Sequence, residues 1–310
     1  MFTWDKLLCA KREREHTVQN PDDVRTEFRK DYHRIIGSAS FRRLQDKAQV
    51  YPLKRGDFVR TRLTHSLEVS SFAGSLGDTI FRRLIDENTE GINEIVRENC
   101  CDILECAGLV HDIGNPPFGH FGEFSIRQWF EDNLPKLTFK GKPVTELLNK
   151  QMKSDFLNFE GNAQALRVLT RLHCLMDMDT GMNLTYALLN TIVKYPVSST
   201  GIDKKSGDIR TKKMGYYLSE EELFRDITSC TGVGDHRYPL TFILESADDI
   251  AYKTADIEDA SVKGLLDYHR ILDELRSDRY REKCISSKAL EMLEKAAAEL
   301  EKSFESAKSF

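Results

Sequence analysis

The spacing of apolar residues along the chain is mainly that of helices. Ile103, Ala107 and Val110 recur at helical intervals. The same periodicity predicts further helices at 64–85, 161–176, 240–260 and 287–304. Strand patterns are weak, although Gln49–Leu53 and Ile209–Leu218 could pair as a hairpin. The pattern therefore predicts an all-α fold with at most a small β-hairpin.

The chain shows no internal repeat and no shift in composition that would mark a domain boundary. We therefore expect one domain over residues 1–310. The segment Ser198–Lys213 is polar and contains glycine, which is typical of a mobile lid or a disordered insertion.

The composition, 40% hydrophobic and 31% charged, is ordinary for a soluble globular protein. The chain has no apolar run of about 18 residues and no apolar secretion segment, so we expect a cytoplasmic protein without a membrane span. The seven cysteines are odd in number and lack CxxC spacing. This favours free thiols in a reducing compartment.

The formal net charge of −5 argues against a protein that coats nucleic acid. The charge is uneven, however, because residues 25–62 are rich in arginine and lysine. Such a zone suits a polyanionic ligand, or it is a solvated helix face. Because of this zone, single-stranded DNA stays a candidate as a further partner.

A His-Asp pair, His111–Asp112, stands near the end of an apolar helix predicted at 102–115. A lone buried histidine there would more often be structural. The neighbouring carboxylate changes this interpretation, because it is costly to bury unless it is paired or binds a cation. Gly114 and two following prolines open space beside the pair.

Two other predicted helices can complete a metal site. His65 lies on the apolar face of the helix at 64–85. Asp248 shares a stripe of the helix at 240–260 with Tyr252 and Asp256, whereas Asp249 does not. Two imidazoles and two carboxylates suit Mn, Fe or Zn, and Mg less well. The predicted ligands of this divalent ion are His65, His111, Asp112 and Asp248.

His120 and Glu123 form a candidate acid/base pair. Three residues apart on a helix, their side chains can meet. The carboxylate can orient the imidazole and support its protonated form. The alternative is that His120 only anchors a loop.

The order His65, His111–Asp112, Asp248 resembles that of the HD-domain metal phosphohydrolases. Longer segments resemble one branch, the deoxyguanosine triphosphate triphosphohydrolases (dGTPases). They lie at 31–36, 41–44, 60–66, 111–123, 158–164, 194–196 and 247–252. The resemblance implies an HD-domain helical fold and hydrolysis of a deoxynucleoside triphosphate (dNTP) to deoxynucleoside and inorganic triphosphate.

The resemblance also implies roles for individual residues. The metal, Mn, Mg, Fe or Zn, is held by the four ligands named above, and His120 and Glu123 are catalytic. The substrate-binding positions are Gln49, Val50, Arg62, Asn115, Lys194, Tyr195, Tyr252 and Asp256. Further implied partners are a dNTP effector and other copies of the chain, as a dimer or hexamer.

In one respect the chain departs from the family. Its members usually continue past the position where this sequence stops, with further C-terminal helices that contact the base. Here the last predicted element is the amphipathic helix Ser287–Phe304. Two other functions stay open. The chain could be an HD phosphohydrolase of another nucleotide, or a weakly catalytic protein that binds dNTP or single-stranded DNA in regulation.

Overall fold

The computed structural model describes residues 2–14, 22–49, 60–173, 181–284 and 286–307. These residues are predominantly helical, which confirms the predicted all-α fold. The α-helices are α1 Trp4–Leu7, α2 Glu27–Ile36, α3 Ala39–Arg42, α4 Arg62–Asp86, α5 Glu94–Val110, α6 Gly119–Asn133, α7 Val144–Leu147, α8 Lys150–Leu157, α9 Gly161–Arg167, α10 Tyr186–Ile192, α11 Glu221–Thr231, α12 Pro239–Val262, α13 Tyr268–Arg276, α14 Asp278–Arg281 and α15 Ser287–Ala307. Short 3-10 helices lie at Arg43–Asp46, Leu134–Lys136, Ser199–Gly201, Ile209–Thr211 and Leu218–Glu220, and α9 continues as a π-helix at Val168–Leu172.

A small hairpin is present, but it is not the predicted one. Strands β1 (Thr138–Phe139) and β2 (Lys142–Pro143) pair antiparallel. The two residues that connect the strands, Lys140 and Gly141, both have positive φ, as a tight hairpin turn requires. The predicted strand Ile209–Leu218 instead begins with a 3-10 turn, because the Asp208 side chain accepts from the Arg210 amide and bends the backbone. Most of its predicted partner, Gln49–Leu53, lies outside the described residues.

The chain divides into two compact units, Met1–Ala251 and Tyr252–Phe310, and the boundary falls within α12. The single domain over residues 1–310 stays a prediction. In the second unit, the rings of Tyr268 and Phe304 stack at a centroid distance of 3.7 Å and join α13 to α15.

Helices α4 and α5 form the centre of the first unit. Thr61 and Thr64 form a capping box at the start of α4, and Asn93 caps α5 by accepting from the Val96 amide. The two helices cross closely at Gly108, where a Cβ would lie 2.5 Å from the Cα of Ser70. The crossing leaves no room for a side chain at this position.

Helix α5 ends at Val110, earlier than the predicted limit at 115. The next residues, 111–114, form turns, with the Ile113 amide bound to the carbonyl of Val110. Gly114 permits a close approach there, because a Cβ would lie 2.1 Å from the Ala165 amide nitrogen of α9. His111 therefore caps α5 rather than lying within it.

The segment Ser198–Lys213 is a folded loop and not a disordered insertion, and its role as a mobile lid stays a prediction. Its Ser199 hydroxyl donates to Asp155 on α8 at 2.5 Å, and the Leu218 amide donates to the same carboxylate at 2.9 Å. Inside the loop, the Asp203 amide donates to the carbonyl of Thr211 at 2.9 Å. The polar composition suggested disorder, because the sequence does not show the distant residues that hold this loop in place.

The expectation of free thiols throughout is also wrong. Cys9 and Cys230 form a disulfide across 221 residues, with a Cα–Cα distance of 6.2 Å. It links the segment after α1 to the end of α11. Cysteine number and local spacing could not show a pair that only tertiary folding brings together. The cysteines therefore do not indicate a reducing compartment.

None of the described helices combines the length and apolar character that a membrane span requires.

The close crossing at Gly108 predicts that Gly108→Ala lowers the free energy of unfolding by about 1–3 kcal/mol, the usual cost of overpacking. Denaturant titration followed by circular dichroism measures it. Glu98→Ala, on the exposed face of the same helix, is the control and should change little. Equal stability of Gly108→Ala and wild type would contradict the crossing.

A second stability prediction concerns Glu220, whose side chain is fully buried and 3.8 Å from Arg167. Burial raises the pKa of this carboxyl, against the opposing charge of Arg167. The unfolded chain therefore ionises first, and stability is lost as the pH rises from the ordinary glutamate pKa to the raised one. Glu220→Gln should match wild type near pH 4 and melt at a higher temperature near pH 8.

Thermal melts at both pH values check this prediction, with the exposed Glu222→Gln as the control. A Glu220→Gln variant that is less stable than wild type at pH 8 would show that the ionised carboxylate is stabilising.

Candidate active site

Three predicted metal ligands converge in the first unit. His65 of α4, His111 at the end of α5 and Asp248 of α12 each offer a ligand atom, and these atoms all lie within 4.8 Å of one another. The Nε2 atoms of His65 and His111 lie 3.2 Å and 3.5 Å from Oδ1 of Asp248. Of the two neighbouring acids on α12, it is Asp248 that belongs to this group. The group could hold a divalent ion.

The histidine tautomer suits such an ion. Nδ1 of His111 donates to the carbonyl of Gly108 at 2.7 Å, because a carbonyl can only accept. This leaves Nε2 as the unprotonated ligand atom when the ring is neutral. Among the described residues, the buried Nε2 of His111 has no hydrogen-bond partner. An unsatisfied buried nitrogen next to a carboxylate fits the donor set of a transition metal.

Asp112 lies beside the group rather than within it. Its Oδ1 is 3.6 Å from Nε2 of His111. The same carboxylate accepts from Nη1 of Arg62 and from Nδ2 of Asn115, each at 2.5 Å. In this geometry two predicted substrate contacts hold the Asp112 carboxylate, and its role as the fourth ligand stays a prediction.

The opposite charges at this site shift the pKa values of its residues toward their ionised forms. Burial alone would lower the pKa of His111, but the charges of Asp112 and Asp248 outweigh it and raise that pKa. Burial opposes ionisation of Asp248, yet the positive charge of His111 holds the Asp248 pKa well below its usual range. The pKa of Asp112 is also lowered, because the charges of His111 and Arg62 outweigh burial. Both carboxylates are therefore ionised and can bind a cation.

Two basic residues that are predicted to bind the substrate, Lys194 and Arg62, lie at this site. Lys194 follows α10 and places Nζ 3.3 Å from Oδ2 of Asp248, whose charge raises the lysine pKa despite burial. Arg62 is only 5% exposed, and a Cβ at Gly119 would lie 2.9 Å from its Nη2. Arg62 therefore reaches from Asp112 to the first turn of α6.

The remaining predicted contacts are less well connected to the group. The backbone amide of Gln49 donates to the carbonyl of Arg60 at 3.3 Å. The buried side-chain Oε1 of Gln49 has no partner among the described residues. Tyr195 is buried, which raises its pKa. Tyr252 and Asp256 belong to the second unit, where the Asp256 charge raises the Tyr252 pKa. Val50 lies outside the described residues.

The predicted dyad is formed on α6. Nδ1 of His120 donates to Oε2 of Glu123 at 3.0 Å. The imidazole is 87% exposed and the carboxylate side chain only 2% exposed. A buried acceptor thus orients an accessible proton donor, which is the arrangement expected of an acid/base pair.

Sequence reasoning assigned no role to three residues at the site. Lys47 donates from Nζ to the carbonyl of Asn115 at 2.8 Å. The Gly161 amide and Arg127 both donate to Glu123, at 2.8 Å and 3.3 Å. Arg127 could have been found, because it stands four residues after Glu123 on a predicted helix. Gly161 lies in the segment 158–164 that resembles the family, but the resemblance gave it no role, and nothing distinguished Lys47 within the basic zone.

The basic zone at 25–62 is not one free cationic surface. Ion pairs with carboxylates are formed by Arg25, Arg29, Lys30, Arg60 and Arg62, among others of the described residues.

Residues 62–179 match the HD domain. The chain is 54% identical over 272 residues to a deoxyguanosinetriphosphate triphosphohydrolase-like protein of Listeria monocytogenes. The aligned region covers 87% of this chain and 58% of the relative. A similarly named protein of Synechocystis is 39% identical, over 88% of this chain and 63% of its own length. A probable deoxyguanosinetriphosphate triphosphohydrolase of Pseudomonas aeruginosa is 40% identical, over 81% of this chain and 50% of its own length.

The chain thus spans only about half to two thirds of the length of these curated relatives. The resemblance seen in the motifs is confirmed: residues 62–179 match the HD domain, and the chain is similar over most of its length to dGTPase-like proteins.

Proposed function

We propose that this chain hydrolyses deoxynucleoside triphosphates, with a divalent metal, to a deoxynucleoside and inorganic triphosphate. The observation that carries the proposal is the convergence of His65, His111 and Asp248 within 4.8 Å. The names of the similar proteins make dGTP the first substrate to test.

A divalent ion bound by these residues supplies a Lewis acid, which withdraws charge from a phosphate and makes water more acidic. The contribution of the chain is to hold the ligand side chains in place. Gly108 fixes the ring of His111 through its carbonyl. Mn²⁺ suits the mixed nitrogen and oxygen donors better than Mg²⁺ does.

The cations beside the metal group suit a polyphosphate. Arg62 is buried and planar, so its guanidinium can offer paired donors to phosphate oxygens. Lys194 adds a second charge on the Asp248 side of the group. A triphosphate chain brings several negative charges, and these two side chains can bind and orient it.

The dyad supplies the proton transfer. When a phosphorus–oxygen bond breaks at the α-phosphorus, the departing 5′-oxygen needs a proton. His120 is exposed and can donate that proton, while Glu123 stabilises the imidazolium form. Arg62 links the two parts of the site, since it contacts Asp112 and lies against the first residue of α6.

The first prediction of the proposed reaction concerns the products of dNTP hydrolysis. With Mn²⁺ and each of the four dNTPs, the protein should release deoxynucleoside and intact triphosphate, which ion-exchange chromatography and ³¹P NMR distinguish from pyrophosphate and phosphate. His111→Ala should be inactive in the same assay. Release of pyrophosphate or orthophosphate by wild type, but not by His111→Ala, would replace the proposed reaction with another phosphohydrolase reaction.

The second prediction separates metal binding from proton transfer. His111→Ala should lose Mn²⁺ binding in isothermal titration calorimetry. His120→Ala should bind Mn²⁺ as wild type does and lose about 10²- to 10⁴-fold in kcat, the usual share of general acid catalysis. Ser125→Ala, at an exposed position of α6, is the control. A His120→Ala variant with normal kcat would remove the acid role.

A further inference from the structure

The His120 ring depends on one side chain for its orientation. It is 87% exposed, and among the described residues its Nδ1 donates to Oε2 of Glu123 at 3.0 Å. Glu123 is nearly fully buried, with 2% of its side chain exposed. Whatever fixes the Glu123 carboxylate therefore also fixes the dyad.

Oε1 of Glu123 is held by the backbone of α9. The Gly161 amide donates to it at 2.8 Å. A Cβ at Gly161 would lie 2.9 Å from this oxygen and 2.0 Å from Oδ1 of Asn115, so the backbone approaches both side chains closely. This contact limits rotation of the carboxylate and leaves Oε2 to face the other donors.

Oε2 of Glu123 is shared between His120 and Arg127. Nη2 of Arg127 lies 3.3 Å from Oε2, and Nε donates to the Glu123 carbonyl at 3.2 Å. The guanidinium is thus anchored at two points of the residue that supports the imidazole. Its side chain is 34% exposed, so solvent screens its charge only in part.

We propose that Arg127 is a positioning residue that sets the acidity of the dyad. This rests on the proposed function, in which His120 donates a proton. The Arg127 charge neutralises part of the Glu123 charge, so Glu123 stabilises the imidazolium less strongly and His120 releases its proton more readily. The other groups known to face this turn are the Arg62 guanidinium of α4 and the uncharged Gly161 amide of α9.

The test compares three variants of this chain. Arg127→Gln removes the charge, and Arg127→Lys keeps it. Arg225→Gln is the matched control, because Arg225 makes the same four-residue ion pair with Glu221 on the surface of α11. In Arg127→Gln, kcat for dNTP hydrolysis should fall several-fold with KM nearly unchanged. The alkaline limb of its pH profile should move up by about half to one pH unit. Arg127→Lys should restore both, and Arg225→Gln should change neither.

A readout independent of turnover is the NMR titration of the His120 imidazole, assigned with His120→Gln. Its midpoint should rise in Arg127→Gln and return in Arg127→Lys. An unchanged midpoint in Arg127→Gln would overturn the proposal, whatever happens to kcat. If wild type cleaves no dNTP, the proposed function fails, whereas the titration still decides the role of Arg127.

Discussion

The close crossing of α4 and α5 is the constraint on which the rest of the site depends. Gly108 lets the backbone of α5 lie directly against Ser70 of α4. The same Gly108 offers its carbonyl to Nδ1 of His111. The rings of His65 and His111 consequently lie with their centroids 5.3 Å apart. One glycine therefore permits the packing of the helices and also fixes the tautomer of a candidate ligand.

Charge compensation explains how so many polar groups are buried at one place. The charge of Asp248 is balanced by His111 and Lys194, and that of Asp112 by Arg62. A buried charge without such partners would cost several kcal/mol. The result is a site with ionised carboxylates and with cations beside them, and both a divalent ion and a polyphosphate need these features.

The sequence predicted elements whose signals are local, and it missed those that tertiary contacts create. The helix at 64–85 was predicted because its periodicity is complete within α4. Motif order marked His65, His111 and Asp248 as candidate ligands, and these three residues converge in the fold. The disulfide of Cys9 had no local signal, and the resemblance at 158–164 did not reveal the close approach at Gly161, since the partners of both residues lie on other elements.

The central claim is that one divalent ion binds between α4, the end of α5 and α12. Anomalous diffraction at the manganese edge, from crystals grown with Mn²⁺, tests it most directly. We expect one strong peak within about 2.0–2.3 Å of Nε2 of His65, Nε2 of His111 and an oxygen of Asp248. A map from Mn²⁺-saturated crystals with no peak between these side chains would contradict it.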